Sequence, residues 1–211
     1  MKKNLAFLFA LLMLVLVGCS SGGGEGTPSP SAPEGTDSVS TTEPTTEPTA
    51  EPTAEPTAEP AAGDHVVDYK FDVPEGFEET DPSEIGVTAC WYRADGSNIN
   101  LNITEKDSTT DLGFKAITGD MLRTTLEEQL KQAYGEATEA TIEDRYFTKD
   151  DVCGLPAYQY CYDLNLDGSS MSQIIICINA DQTYTFTFTA SDDETLALFE
   201  DTVKTINLTL E

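Results

Sequence analysis

The chain has 211 residues, and its 38 Asp and Glu residues outnumber 11 Lys and Arg residues, which gives a formal net charge of −27. A chain this acidic repels polyanions and lacks the basic surface that nucleic-acid binding requires, so we expect no nucleic acid among its partners. The excess of carboxylates is typical of a soluble domain that stays apart from an anionic envelope.

The amino terminus has the pattern of an export signal. Lys2 and Lys3 precede an apolar run over residues 5–17 that is too short to span a bilayer comfortably and ends in the letters LVGC, at Cys19. This resembles a bacterial lipoprotein signal peptide, and the resemblance implies cleavage before Cys19 and a diacylglycerol on its thiol. The alternative is an ordinary secretory signal or a buried apolar helix. We expect residues 1–18 to be the signal peptide, with the protein anchored on the extracytoplasmic face of the cell membrane.

The next segment is a spacer. Residues 20–63 are mostly Gly, Ser, Thr, Pro, Glu and Ala, without an aromatic residue, and Val39 is their one branched aliphatic residue. Glu-Pro recurs every four residues from Glu43 to Pro60. Proline favours extended backbone and the glutamates repel one another, so residues 19–63 are predicted to be the lipidated cysteine followed by a disordered but stiffened acidic spacer. A Pro-rich ligand for a recognition module is the alternative.

The folded domain begins with strands. Residues 65–73 alternate apolar and polar, and two further alternating runs flank the turn ADGS at residues 94–97, which predicts a hairpin. The apolar positions of the hairpin are Val87, Ala89, Trp91, Ile99, Leu101 and Ile103. We expect the alternating Asn98, Asn100 and Asn102 to face water.

The apolar period then becomes helical. Over residues 120–134 an apolar stripe predicts a helix on the sheet, with Asp120 at its start and Gly135 at its end. Residues 140–148 predict a more polar strand, either at an edge of the sheet or as one arm of a long hairpin. A last helix is predicted from Ser191, with Glu194 completing a capping box.

Between these elements, residues 157–190 form three alternating runs that predict an antiparallel meander. We expect the apolar sets to share one buried face opposite a polar outer face. The sets are Tyr158, Tyr160, Tyr162, Leu164 and Leu166, then Ile174, Ile176 and Ile178, then Tyr184, Phe186 and Phe188.

The order of elements predicts an α+β domain over residues 64–211, with an antiparallel sheet, a C-terminal meander and two main helices that cover the sheet. Residues 69–77 (YKFDVPEGF), residues 154–157 (GLPA) and the capped last helix resemble the PsbP-like superfamily of αβα sandwiches. That superfamily includes the photosystem extrinsic protein and many bacterial surface lipoproteins of unknown role. The resemblance implies the fold and the location, and it carries no functional residue over to this chain.

Four cysteines follow Cys19, and they allow three complete pairings. They are Cys90, Cys153, Cys161 and Cys177. We expect Cys161 and Cys177 to lie on the polar face of adjacent strands and to form the favoured disulfide, and Cys90 with Cys153 follows by elimination. An exported domain is in the right compartment for disulfides, and free thiols are the alternative.

One segment has part of a metal-binding pattern. Residues 163–168 (DLNLDG) match the first six positions of a calcium loop, but the twelfth position is Ile174 and the flanking segments are strands. A hairpin turn is therefore the favoured interpretation over a calcium site, and we expect no metal.

No residue pattern indicates catalysis. His65 is the one histidine, it lies where the spacer meets the domain, and no phosphate loop or cofactor motif is present. We therefore expect no cofactor and a non-enzymatic, lipid-anchored binding or accessory module, monomeric, for an envelope protein or a glycan. The alternatives are a structural assembly factor for a membrane complex and a hydrolase that uses unrecognised carboxylates.

Overall fold

The computed structural model describes residues 65–135 and 139–211, so the predicted signal peptide, Cys19 and the whole predicted spacer lie outside the described residues. Among the described residues, no helix is long and apolar enough to cross a membrane. The elements in chain order are β1 (Val66–Lys70), β2 (Glu78–Thr80), a 3-10 turn (Pro82–Glu84), β3 (Ala89–Tyr92), β4 (Asn98–Glu105), α1 (Thr110–Ala116), α2 (Gly119–Tyr134), β5 (Ala140–Val152), β6 (Leu155–Leu166), β7 (Ser169–Asn179), β8 (Gln182–Ala190), α3 (Asp193–Val203) and β9 (Asn207–Leu210).

Seven of the strands form one antiparallel sheet in the order β2-β3-β4-β8-β7-β6-β5. The predicted meander is β6-β7-β8, and the N-terminal hairpin joins it through pairing of β4 with β8. β1 pairs with β9 in a separate two-stranded sheet. The predicted α+β class is confirmed.

One face of the seven-stranded sheet, which we call the α3 face, packs against α3 and the small β1–β9 sheet. Phe199 of α3 is fully buried, and its ring lies 5.3 Å from that of Phe188. Phe71, which follows β1, packs edge-on against Trp91 at 5.0 Å. The core on this face includes Ile99, Leu101, Ile174, Ile176, Phe186, Phe188, Leu196 and Phe199.

The opposite face, which we call the α2 face, packs against Leu122, Leu126 and Leu130 of α2. It carries Tyr160, Tyr162, Leu164, Leu166 and Ile175. The expectation that all apolar sets of the meander share one face is wrong. Tyr160 pairs with Ile175, which places the tyrosines of β6 opposite to the Ile174 and Phe186 set, because register decides which alternate residues meet.

Both main helices begin with a cap other than the predicted one, whereas α2 ends at Gly135 as predicted. The side chain of Thr118, not of Asp120, accepts a hydrogen bond from the Met121 amide and starts α2. Asp192, not Ser191, caps α3 by accepting from the Thr195 amide at 2.8 Å. Since Ser, Thr and Asp all cap well, their sequence spacing alone does not choose among neighbours.

The short strand β2, the 3-10 turn, α1 and β9 are additional to the prediction, and β5 is longer than predicted. α1 is a short helix before α2, and β9 closes the domain by pairing with β1. The edge strand β5 extends to Val152, since its partner β6 is long enough to pair along the whole strand.

The asparagines of β4 do not all face water as expected. Asn98 and Asn100 lie on the α2 face with only 3% and 5% of their surface exposed. β4 lies inside the sheet, between β3 and β8, so neighbouring strands surround its polar side chains.

Candidate functional site

The start of α3 is flanked by two shallow cavities that share Asp192. The first has a volume of about 290 Å³ and the second about 440 Å³. Among the charged residues of both linings carboxylates outnumber the single arginine that each contains. The charged residues of the first are Glu143, Arg145, Asp163, Asp192 and Asp193, and those of the second are Arg93, Asp192, Glu194 and Asp201.

Arg145 connects the elements that line the first cavity. It lies at a register shift in β5, between Asp144 and Tyr146, and such a bulge redirects a side chain. Its Nε donates to Asp163 Oδ1 of β6 at 2.7 Å and its Nη2 to Asp193 Oδ1 of α3 at 2.9 Å. These hydrogen bonds raise the pKa of Arg145, the Asp163 bond contributing most. One guanidinium thereby bridges β5, β6 and the start of α3.

Arg93, at the tip of the β3–β4 hairpin, makes the corresponding contacts beside the second cavity. Its Nε donates to Asp95 Oδ2 at 3.0 Å, its guanidinium lies 5.0 Å from the centre of the Phe77 ring, and it also donates to Thr195 Oγ1. Ser191 Oγ donates to Asp95 Oδ2 at 3.0 Å. The pKa of Asp95 lies well below its ordinary value, chiefly because of the Arg93 hydrogen bond. The hairpin tip is thus fastened to the start of α3.

The positive charges of Arg93 and Arg145 do not balance the carboxylates around the two cavities, so the surface remains negative. Arg145 is shared by Asp163 and Asp193, while Glu143 and Asp192 add further negative charge to the same cavity. Hydrogen bonds from the backbone and side chain of Thr195 lower the pKa of Asp192 and so favour its charged form. A surface of this kind attracts cationic groups and repels anionic ones.

The arginines were not identified from the sequence as site residues. Asp163 and Asp193 lie 18 and 48 positions from Arg145, and Thr195 lies 102 positions from Arg93. Contacts at such separations follow from the tertiary fold, so no local motif indicates them.

The favoured disulfide is wrong. All four cysteines after Cys19 are free thiols. Cys161 stands opposite Ile174, and Cys177 opposite Tyr158, so the two cysteines are three positions out of register and point to opposite faces of the sheet. Cys161 and Cys177 are also buried rather than on a polar outer face.

The remaining pair, Cys90 with Cys153, is not formed either. Cys90 is buried on β3, whereas Cys153 is exposed in the β5–β6 turn, with its Sγ 3.4 Å from the Ile206 carbonyl oxygen. Burial raises the pKa of Cys161 and of Cys177 to about 11, which keeps both thiols protonated and poorly reactive.

The predicted hairpin turn is confirmed at residues 163–168. Asp167 and Gly168 have φ values of 49° and 79° and join β6 to β7 in a tight turn. The Asp163 carboxylate accepts hydrogen bonds from Arg145 and Ser172 instead of facing a loop. In the described part of the chain, no group of three or more His, Cys, Asp or Glu residues is arranged to hold a metal ion.

His65 has a structural contact. Its Nδ1 lies 2.7 Å from Asp181 Oδ2, which joins the start of the domain to the β7–β8 turn. Cys19, the predicted lipidation site, lies outside the described residues.

The fold is similar to that of cyanobacterial PsbP (CyanoP) from Synechocystis sp. PCC 6803, with a TM-score of 0.52 and 19% sequence identity over 67% of this chain and 86% of that chain. The domain has a PsbP-like fold. A weaker similarity, with a TM-score of 0.37 and 15% identity over 73% of this chain and 87% of the other, links it to LpqN, a protein involved in cell envelope biogenesis of Mycobacterium tuberculosis. No family model and no curated protein matches the chain.

Proposed function

We propose that the protein is a monomeric, non-catalytic accessory module, held on the extracytoplasmic face of the cell membrane by a lipid on Cys19. The acidic spacer would carry the PsbP-like domain away from the membrane. The observation that carries the binding role is the acidic surface at the start of α3, where Arg93 and Arg145 bridge the elements around two cavities that carboxylates line.

The partner that suits this surface is a cationic segment of an envelope protein. Glu143 and Glu194 add negative charge beside the paired arginines, so Lys or Arg side chains of a partner would find carboxylate acceptors there. The arginine contacts join the elements around the cavities, so a partner would meet carboxylates carried by strands and a helix of the domain. An assembly role in a membrane complex would use the same contact.

The hydrolase alternative has less support. A carboxylic acid that donates a proton near neutral pH needs a raised pKa. The pKa values of Asp95 and Asp192, which adjoin the cavities, are shifted downward instead by hydrogen bonds to their charged forms. This favours binding over acid catalysis at this surface.

The experiment is crosslinking and affinity capture on intact cells, with the unaltered protein and a Glu143→Gln/Glu194→Gln double variant. The matched control is Glu105→Gln/Glu128→Gln, which removes the same charge at exposed positions that do not line the cavities. We expect an envelope protein that is captured by the unaltered protein and the control but lost with the cavity variant. Equal capture by both double variants would refute the assigned surface.

The anchor has a separate test. Cys19→Ala should release the protein from the membrane fraction, because the lipid would have no attachment site. Unchanged fractionation of Cys19→Ala would refute lipidation at this residue without bearing on the acidic surface.

A further inference from the structure

The α2 face changes its chemistry halfway across the sheet. α2 covers its apolar part on β6 and β7, while β4 and β8 present only uncharged polar side chains on this face. Eight residues of β4 and β8 face this side, and we call them the Asn/Thr floor. They form four cross-strand pairs: Asn98 with Thr189, Asn100 with Thr187, Asn102 with Thr185, and Thr104 with Thr183. In a chain with a net charge of −27, eight neighbouring uncharged polar positions form a chemically distinct surface.

Apolar side chains adjoin the floor on both sides. On one side Ile175, which pairs with Thr187, belongs to the cluster under α2. On the other side Cys90, which pairs with Asn100, belongs to a small cluster with Ile85 and Tyr92. On this face the floor therefore has apolar neighbours on β3 and β7, together with the polar Gln173 and Asn179 of β7.

Several side-chain oxygens at the floor and beside it have no hydrogen-bond partner among the described residues, although Asn100 Nδ2 donates to Asn98 Oδ1 and Asn179 Nδ2 to Asp111 Oδ1. Thr183 Oγ1 and Asn100 Oδ1 make no hydrogen bond within the described part of the chain, although each residue is only 5% exposed. Thr104 Oγ1 and Asn179 Oδ1 are also buried and unpartnered there. Thr104, Thr183 and Asn179 form one row across β4, β8 and β7. Buried polar atoms are normally paired, so an unpaired row points to a ligand that supplies the missing bonds.

The chemistry of the row restricts that ligand. Hydroxyl and amide groups both donate and accept hydrogen bonds, as sugar hydroxyls and acetamides do. A charged ligand would lose its hydration without meeting an opposite charge on the floor, and an apolar ligand would leave the row unpaired. Successive rows of the floor are two residues apart along each strand. The four rows therefore extend over roughly 20 Å, which is longer than one sugar ring.

From these observations we propose that the Asn/Thr floor binds an uncharged glycan chain, through hydrogen bonds centred on Thr104, Thr183 and Asn100. This site lies on the opposite side of the sheet from the carboxylates at the start of α3. It is therefore independent of the protein partner proposed above, and either assignment can fail alone.

The test uses isothermal titration of the whole chain with the neutral β-1,4-linked tetramer of N-acetylglucosamine and with maltotetraose. We expect at least one tetrasaccharide to bind, and Thr183→Val to weaken that binding about tenfold, because valine keeps the shape but removes the hydroxyl. The matched control is Thr202→Val, at an equally buried threonine of α3 whose Oγ1 donates to the Leu198 carbonyl oxygen.

Thr104→Val tests the same row at a half-buried position and keeps the test decisive if Thr183→Val does not fold. The proposal is overturned if neither tetrasaccharide binds, since the row would then be satisfied by water alone. Unchanged affinity in the row variants that fold, or equal affinity for free N-acetylglucosamine, would also overturn it. Loss of binding in Thr202→Val as large as in Thr183→Val would indicate a general effect on folding and refute the assignment to the floor.

Discussion

The position of α3 decides the geometry of the acidic surface, and Phe199 holds α3 on the sheet. This side chain is fully buried and packs between the rings of Phe77 and Phe188 at 5.4 and 5.3 Å. Phe199→Ala removes most of a buried aromatic ring, and such truncations cost about 3–5 kcal/mol when the surroundings relax only partly. Leu198, its neighbour on the same helix, is 38% exposed, so Leu198→Ala should cost less than about 1 kcal/mol.

The free energies of unfolding are measured by urea denaturation with tryptophan fluorescence. The one tryptophan, Trp91, packs against Phe71 in the same core and reports on its disruption. Domains of this size are stable by about 5–15 kcal/mol, so Phe199→Ala should remove a large share and lower the Tm by about 10 °C. Equal losses in Phe199→Ala and Leu198→Ala, or a loss below about 1 kcal/mol in Phe199→Ala, would refute the packing argument.

Further predictions concern the thiols, the pH and the arginine contacts. Alkylation of the folded protein should modify the exposed Cys153 first, whereas the buried Cys90, Cys161 and Cys177 should react only when the domain unfolds. Mass spectrometry measures this, and an alkylated mass that depends on prior reduction would instead reveal a disulfide. The pKa values of Asp95 and Asp111 lie below the ordinary value, Asp111 chiefly through Lys106, so their stabilisation is present above about pH 4 and is lost as the pH falls. Urea unfolding at pH 5 and pH 3 should show this loss, and Asp95→Asn should reduce it; an unreduced pH dependence would contradict the assignment. Arg145→Met should lower stability by about 1 kcal/mol or less but more than Lys204→Met, whose side chain is 72% exposed, and the reverse order would contradict the bridging role of Arg145.

The elements that the sequence predicts well have a strong local signal. The hairpin around residues 94–97 and the meander alternate strictly, and the apolar stripe of α2 repeats at helical spacing. The short strand β9 gives no such signal. It has four residues, and it is ordered by pairing with β1 at the other end of the domain.

Register accounts for most of what the sequence does not predict. Alternation establishes that Tyr160 and Tyr162 share a face, but not that Tyr160 meets Ile175 rather than Ile174. A shift of one residue moves a whole strand to the other face. The favoured pairing of Cys161 with Cys177 depended on that unknown register, and so did the single buried face expected for the meander. The site residues Arg93 and Arg145 depend on it as well, since their partners belong to distant segments.

The strict alternation of β8 also places the side chains that stabilise the core and those of the Asn/Thr floor on opposite faces of one strand. Phe186 and Phe188 face the α3 core, while Thr187 between them faces the Asn/Thr floor. Because successive side chains point to opposite faces, the threonines can be changed without removing an aromatic contact. A substitution such as Thr183→Val therefore alters the chemistry of the floor and leaves the aromatic rings that position α3 in place. The acidic surface and the Asn/Thr floor can for this reason be tested one at a time in the same folded domain.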